Sequence, residues 1–419
     1  MPRLPPALFW RARREVSPLA AQLLPACRDL QSAANELRWI REHVRATPSP
    51  VPEGLRVWQL VERRGRGIPL QYVLGTQPFG DLEIKCRPGV LIPRHETEAY
   101  TLYLASLLAK EQPAAGSSSS SSSSTLSILD LCTGTGCIPL LLLQALLRRP
   151  PSPRPSHITV HGIDISPRAI RLARANLAHN TALRLLPPPS PPSASASPSP
   201  SYSATFTRAS IFSPTLLPTL QSLSPGGWDV LTANPPYISP EGFARSTARA
   251  VRNHEPRLAL VPPPSPPPSP PSPPSPPSPA EPPPLLRQED TFYARLLHMA
   301  QHLRPKRVVL EVGGWAQAVR VVRMALRGLP SSSSPAAAAA YGDADVASSS
   351  SSSSSSYAGG GGGEIARLYP TVEIWRDEPA GVAGDGTGDR EGGGEVVEVA
   401  GREVRVRGVG DGRVVYLCR

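Results

Sequence analysis

Apolar residues recur at three- and four-residue spacing through Leu30, Ala33, Ala34, Leu37 and Ile40, which predicts one amphipathic helix over residues 27–46. A shorter helix is expected over Leu55–Arg63, with Val57, Leu60 and Val61 inward, closing a small helical unit near Arg66-Gly67. From Pro69–Gly75 and on through Leu82, Ile84 and Cys86 the pattern fits a short hairpin turning at Gly80-Asp81. A helix then begins near Glu96 and runs to Lys110. Beyond residue 125, strands are expected at Leu126–Leu131, Ile158–Ile163, Ala204–Thr207, Trp228–Thr232 and Arg307–Val312. Helices fall between them at Ile138–Arg148 and Pro167–His179, the second with Ala169, Ile170, Ala173 and Leu177 on one face. Such alternation predicts an α/β fold with a parallel, doubly wound sheet. A terminal β pair is expected of Glu395–Val406 with Arg413–Leu417.

Composition shortens the folded part of the chain. Of 419 residues 54 are proline, and Ser, Pro and Gly tracts fill 113–125, 187–203, 262–284, 330–363 and 378–394. Such tracts bury too little apolar surface to offset the entropy of ordering them. They fall between the expected elements, where insertions are tolerated, and read as solvated loop expansions. The expected layout is therefore a helical unit over 1–66, a hairpin and linking helix over 67–112, and a linker at 113–125. One domain over 126–419 follows, carrying the remaining four tracts as insertions.

The formal net charge is +11, carried by scattered Arg rather than a continuous basic stripe with aromatics, so no nucleic-acid surface is expected. The five cysteines include no C-x-x-C pair, which speaks against a disulfide framework or a metal site. No apolar run is long enough for a membrane span; Leu140–Leu143 is short and ends at Arg148-Arg149. Arg3, Arg11, Arg13 and Arg14 against the single acid Glu15, with Phe9, Trp10 and Leu19 between, fit an amphipathic presequence over 1–26 as well as the first helix of the small unit.

Three motifs carry chemistry. Asp130-Leu131-Cys132-Thr133-Gly134-Thr135-Gly136-Cys137 sits at the end of the first strand of the main sheet, where open α/β sheets bind ligands. A nicotinamide-type loop would place a third glycine where Pro139 stands, and no Lys-Ser/Thr makes a phosphate loop. Asp164, just past the next strand, is placed to accept both hydroxyls of a ribose, while Ser166-Pro167 caps the following helix. Asn234-Pro235-Pro236-Tyr237 follows another strand on the same rim. There the Asn234 side-chain oxygen and the Pro235 carbonyl can accept the two N–H bonds of an amide or amino group, Pro236 stiffens the turn, and Tyr237 can lie against a flat group. Loop, acid and Asn-Pro-Pro-Tyr together predict methyl transfer from S-adenosyl-L-methionine to a planar nitrogen, with positioning rather than a strong base doing the catalysis.

With these motifs stand Gly67-Ile68-Pro69-Leu70-Gln71-Tyr72-Val73-Leu74-Gly75, Leu91-Ile92-Pro93-Arg94-His95-Glu96-Thr97-Glu98, His254-Glu255-Pro256-Arg257-Leu258-Ala259-Leu260 and Leu310-Glu311-Val312-Gly313. In this set, running from about Leu55 to Arg320, the chain resembles the protein-(glutamine-N5) methyltransferases that modify peptide chain release factors, the HemK/PrmC type. The resemblance implies a class I, Rossmann-like methyltransferase domain with a seven-stranded sheet, behind a small helical domain that helps dock the release factor. It implies S-adenosyl-L-methionine as cofactor and the glutamine of a Gly-Gly-Gln loop as acceptor, gripped by Asn234 to Tyr237. Cofactor contacts are expected from Asp130, Cys132, Thr133, Gly134, Thr135, Gly136 and Asp164, from Ser210 and Ile211 at the adenine, and from Asn234. Two departures stand out: Cys132 replaces the family's usual glycine, and Ser210 stands where an acid normally faces the adenine. Arg94 and Glu255 are expected to brace the loop around the pocket.

The low-complexity insertions and the N-terminal composition make the chain look like a mitochondrial form, the alternative being cytoplasmic. The remaining expectations are a monomer with no metal, no membrane and no direct nucleic-acid contact. Two other functions fit parts of the pattern. A nucleic-acid adenine-N6 methyltransferase shares the Asn-Pro-Pro-Tyr element but wants a target-recognition domain, for which the chain after Gly313 offers no candidate. A non-catalytic, cofactor-binding assembly factor would not need Asn234, Asp164 and both loop glycines intact.

Overall fold

The computed structural model describes residues 3–110, 125–148, 155–189, 201–264, 286–328, 364–380 and 395–419. Its strands are β1 (Thr76–Phe79), β2 (Leu82–Lys85), β3 (Thr125–Leu131), β4 (His157–Asp164), β5 (Ser201–Arg208), β6 (Val230–Ala233), β7 (Arg307–Glu311), β8 (Thr371–Glu378), β9 (Val396–Val399), β10 (Arg402–Arg407) and β11 (Val409–Cys418). Strands β1 and β2 form a separate hairpin, and the other nine make one sheet in the order β5-β4-β3-β6-β7-β11-β8-β10-β9. Strands β3 to β7 pair in parallel, while β11 runs antiparallel between β7 and β8. The seven strands from β5 to β8 are thus extended by a two-strand edge.

Both faces of the sheet are covered, as the near-continuous apolar runs of its parallel strands require. Leu129, Leu131, Leu231, Val308 and Leu310 face a core with the helices Leu216–Leu223, Thr291–Leu303, Trp315–Arg327 and Glu364–Leu368. Ile128, Val160, Val230, Val309 and Val414 face the other, with the helices His95–Lys110, Cys137–Leu147 and Pro167–Ala182. The strand order reverses at β3: β4 and β5 are added on one side of it, β6 and β7 on the other. A crevice therefore opens at the carboxyl ends of β3 and β6.

The helical unit has its own core, in which Ala12, Ala20, Leu23 and Leu24 pack with Leu37, Ile40, Val57 and Val61. The helix expected over 27–46 forms as Leu30–Ala46, three residues late, because the preceding helix Pro18–Cys27 ends at Arg28 with a left-handed φ of 73° and Asp29 then caps Ser32 N–H at 2.7 Å. Of the segment 1–26 that fitted a presequence, the part from Ala12 onward supplies core side chains, so it is a structural part of this unit.

Other expectations shift. The segment Leu70–Leu74 is one helical turn rather than a hairpin arm, because Tyr72 turns inward to donate to Val90 O at 2.7 Å; the hairpin follows, turning at Gly80-Asp81 as expected. Glu395–Val406 does not pair with Arg413–Leu417. It folds on itself as β9 and β10 about Ala400-Gly401, and β8, a strand the sequence pattern missed, lies between them and β11. Ser201–Ser203, placed in a tract, begins β5 with Tyr202 fully buried, and Glu378 ends β8. The rest of the low-complexity tracts lies almost wholly outside the described residues.

Candidate active site

On the β3 side of the crevice the loop from Cys132 to Gly136 crosses the end of β4. Thr133 N–H donates to Ile163 O at 2.9 Å and Gly136 N–H to Thr133 O at 2.8 Å, so the loop is a tight turn locked to the sheet. Gly136 has φ 77°, and a Cβ there would stand 3.1 Å from the Ala173 Cβ, so glycine is what lets the helix Pro167–Ala182 pack close. Cys132 also takes a left-handed φ, 62°, with a full side chain. The Asp164 carboxylate accepts Gly134 N–H at 2.9 Å on one oxygen and Ser166 N–H at 2.8 Å on the other. Burial raises its pKa, those two N–H groups working against the shift. Each oxygen keeps a lone pair for a further donor.

Asp130 lies behind this loop with no exposure. One of its oxygens accepts the Thr232 hydroxyl at 2.6 Å; the other has no partner, and neither has the Thr133 hydroxyl. Burial pushes Asp130 up to about 7, against the lowering pull of the Thr133 and Thr232 hydroxyls. A further buried side chain, Asn176, donates to Thr135 O at 2.9 Å and accepts Lys85 N–H at 2.8 Å, fastening the loop to the β1–β2 hairpin. The sequence pattern gave Asn176 and its neighbour Asn180 no role, although two amides four apart on an otherwise apolar helix face are a signal of a buried polar dock.

On the β6 side stands Asn234, half-buried, its side-chain amide making no hydrogen bond to any described residue. Tyr237 turns away from the opening. Its hydroxyl donates to Glu311 Oε1 at 3.3 Å, and its carbonyl accepts Gln317 Nε2 at 3.3 Å. Two residues the sequence reading left without a role, Glu311 and Gln317, therefore hold the far end of the motif. Glu311 had a signal in the Leu310–Gly313 segment; Gln317 had none.

The third wall is Gly89–Arg94. Its anchor is Glu255, whose side chain is 1% exposed and accepts Arg94 Nη2 at 2.8 Å and Ile92 N–H at 3.0 Å. The bracing expected of Arg94 and Glu255 is what these bonds do. The Gly67–Gly75 segment reaches the same wall through Tyr72, and Arg64 ties it to the helical unit by donating to Ile68 O and, at 2.6 and 2.9 Å, to both oxygens of Glu36.

These walls enclose a cavity of about 170 Å³. Of the expected site residues, Cys132, Thr133, Gly134, Thr135, Asp164, Ser210, Ile211, Asn234 and Pro236 line it; Asp130, Gly136, Pro235 and Tyr237 stand behind its surface. Arg94, Ile165, Phe212, Leu258 and Phe292 line it too. The chemistry fits a nucleoside: a carboxylate, Asp164, with lone pairs for ribose hydroxyls, and apolar cover from Ile165, Ile211 and Phe212; the Asp130 oxygen and the Thr133 hydroxyl are themselves buried behind that surface. Among the described residues no group of three or more His, Cys, Asp or Glu could hold a metal ion, and no helix is long and apolar enough to cross a membrane.

No protein-family model matches the chain. It is similar to the mitochondrial MRF1 N(5)-glutamine methyltransferase of Saccharomyces cerevisiae, with 34% identity over 261 residues, 62% of this chain and 68% of that protein. The probable mitochondrial MRF1 N(5)-glutamine methyltransferase of Schizosaccharomyces pombe is 33% identical over 271 residues, 62% of this chain and 73% of that one. The release factor glutamine methyltransferase of Mycolicibacterium smegmatis is 33% identical over 229 residues, 54% of this chain and 63% of that one.

Proposed function

The chain belongs to the release factor N(5)-glutamine methyltransferases, and from that premise we propose that it methylates the side-chain amide nitrogen of the glutamine in the Gly-Gly-Gln loop of a mitochondrial peptide chain release factor. Its cofactor is S-adenosyl-L-methionine, which supplies an electrophilic methyl group when bound. The observation that carries the reading is Asn234: an amide with no hydrogen bond to the described residues, lining the same cavity as Asp164 and Gly134.

In this reading Asp164 accepts the ribose hydroxyls, Ile211 covers the adenine beside Ser210, and Asp130 with Thr133 lies behind the ammonium end. Cys132, Gly134, Thr135 and Gly136 shape the loop along the cofactor. Asn234 Oδ1 and the Pro235 carbonyl accept the two N–H bonds of the substrate amide and aim its nitrogen lone pair into the cavity, with Pro236 stiffening the turn. An amide nitrogen is weakly nucleophilic because its lone pair is delocalised. Drawing on both N–H bonds increases electron density at nitrogen; as the N–C bond forms the S–CH3 bond would break to leave a neutral thioether, and the surplus amide proton would pass to solvent. The enzyme works as a monomer in the mitochondrion, with no direct nucleic-acid or membrane contact, and its helical unit helps dock the release factor.

The test is incubation of the full chain with labelled S-adenosyl-L-methionine and recombinant release factor, followed by mass spectrometry of the Gly-Gly-Gln peptide. Label on the glutamine is expected. Label that persists when that glutamine is replaced, or that goes instead to an adenine-containing oligonucleotide, overturns the reading.

A further inference from the structure

The Asn-Pro-Pro-Tyr element is rigid at its prolines but would swing as a unit unless its far end were fixed. Tyr237, that far end, does not line the cavity. Its ring lies against the backbone of Gly313, where an added Cβ would stand 3.0 Å from Tyr237 Cδ2, so the absence of a side chain there is what seats the ring. Its hydroxyl reaches the fully buried Glu311, whose second oxygen accepts the Thr97 hydroxyl at 2.7 Å from the helix His95–Lys110. The Tyr237 carbonyl meets Gln317, also buried. Gln317 is fixed in turn: its oxygen accepts Gly313 N–H at 2.8 Å, and its amide donates to Glu289 O and to Asp290, which Arg320 pairs.

We propose that Glu311 and Gln317 are positioning residues for methyl transfer: they clamp Tyr237 at its hydroxyl and at its carbonyl, and so fix the direction in which Asn234 and the Pro235 carbonyl present their oxygens to the acceptor amide. The proposal rests on the glutamine-methylating reading above and assigns Tyr237 the part of an anchor rather than a platform for the substrate. Thr97 extends the clamp to the helix that follows Arg94, so the acceptor side and the Ile92–Arg94 wall share one support.

The test is a double-mutant cycle in the full chain, with Y237F removing one oxygen and E311Q keeping the shape of the carboxylate. Each variant is measured for kcat, for KM toward the release factor, for S-adenosyl-L-methionine affinity by calorimetry and for melting temperature. Each single change is expected to lower kcat by about 5- to 10-fold with cofactor affinity unchanged within about twofold, and the double variant to be no worse than the worse single one. Multiplicative effects, an unchanged kcat, or cofactor affinity falling in step with kcat overturns the proposal. Should E311Q fail to fold, Q317M is measured alone for the same four quantities, because Y237F leaves in place the carbonyl that Gln317 holds; an unchanged kcat then overturns the proposal. A wild-type chain that leaves the Gly-Gly-Gln glutamine unlabelled overturns the parent reading and this one with it; wild-type labelling with Y237F at full kcat overturns this one alone.

Discussion

The β3 side of the crevice holds groups in conditions they do not favour, whereas the β6 side ties nearly every polar group to a partner far along the chain. Cys132 keeps a left-handed backbone that glycine would take freely, and Asp130 has a buried oxygen with no partner. Across the crevice, Glu255 reaches back to Ile92 and Arg94, Glu311 to Thr97 and Tyr237, and Gln317 to Tyr237 and Asp290. The difference follows from what each side must do. Receiving a charged nucleoside calls for unsatisfied donors and acceptors, which destabilise the empty site. Aiming a weak nucleophile calls for atoms that do not move. Substitutions on the two sides should therefore change stability in opposite directions.

The largest effect belongs to the one β6-side group that is left open. Asn234→Ala removes the side-chain acceptor proposed for the substrate amide while touching no bond to the described residues. Turnover should fall at least about 100-fold, by analogy with the loss of one preorganised hydrogen-bonding group, and the melting temperature should hold. Methylation above a tenth of the wild-type rate would remove Asn234 from the catalytic role.

Asp130→Asn tests the β3 side. With its folded pKa near 7 and an ordinary carboxylate value when unfolded, Asp130 is protonated in the native state while already ionised in the unfolded chain between about pH 4 and 7. The native state therefore binds the extra proton, and this group's contribution to stability declines as pH rises through that window. Asparagine has no charge to bury. The variant should match the wild type near pH 4 and gain on it up to pH 7, by at most roughly 4 kcal/mol for a shift of that size. Its cofactor affinity should fall at the same time. Parallel stability–pH curves from denaturant melts would show that burial of this carboxylate carries no such penalty.

How much of this was legible follows the same division. The cofactor loop, Asp164 and Asn234 are local signals, readable because a tight turn needs glycines within a few residues and a strand end places the next side chain on the rim. The supports are not local. Thr97 and Glu311 are 214 positions apart, and Arg94 and Glu255 are 161 apart. No periodicity or spacing rule joins such pairs; the family segments pointed to Arg94 and Glu255 as braces but flagged Glu311 without saying what it holds. Tyr237 is expected to face the substrate because an aromatic beside an acceptor invites that role; its place outside the cavity lining and its bond to the buried Glu311 favour the anchoring part proposed above. In the fold, β8 is missed because its segment lies between two low-complexity tracts, although Pro370 and Pro379 frame it.

Glu255→Ala probes the supports. It leaves the buried Ile92 N–H unpaired and takes the acceptor from Arg94, which is 29% exposed and so partly recovered by water. A loss of about 2–3 kcal/mol is expected, at the low end for a broken buried pair, together with weaker cofactor binding as the Ile92–Arg94 wall loosens. A melt within about 0.5 kcal/mol of wild type would mean the β6 side is not held as its bonds indicate.

The smallest effect is the most discriminating. Cys132→Gly relieves a left-handed conformation that costs a side-chain-bearing residue about 1 kcal/mol, while giving up the contact of its side chain with the main core, which offsets part of that gain. Glycine also widens the unfolded ensemble, which offsets more of it. The net change should be a stabilisation of at most a few tenths of a kcal/mol, opposite in sign to Glu255→Ala. If the thiol's contact with the cofactor outweighs the strain, affinity for S-adenosyl-L-methionine falls while the empty protein melts higher. If the cysteine is only tolerated, affinity holds. A destabilised Cys132→Gly would show that the β3 side stores no strain at this position, and the contrast between the two sides would then rest on Asp130 alone.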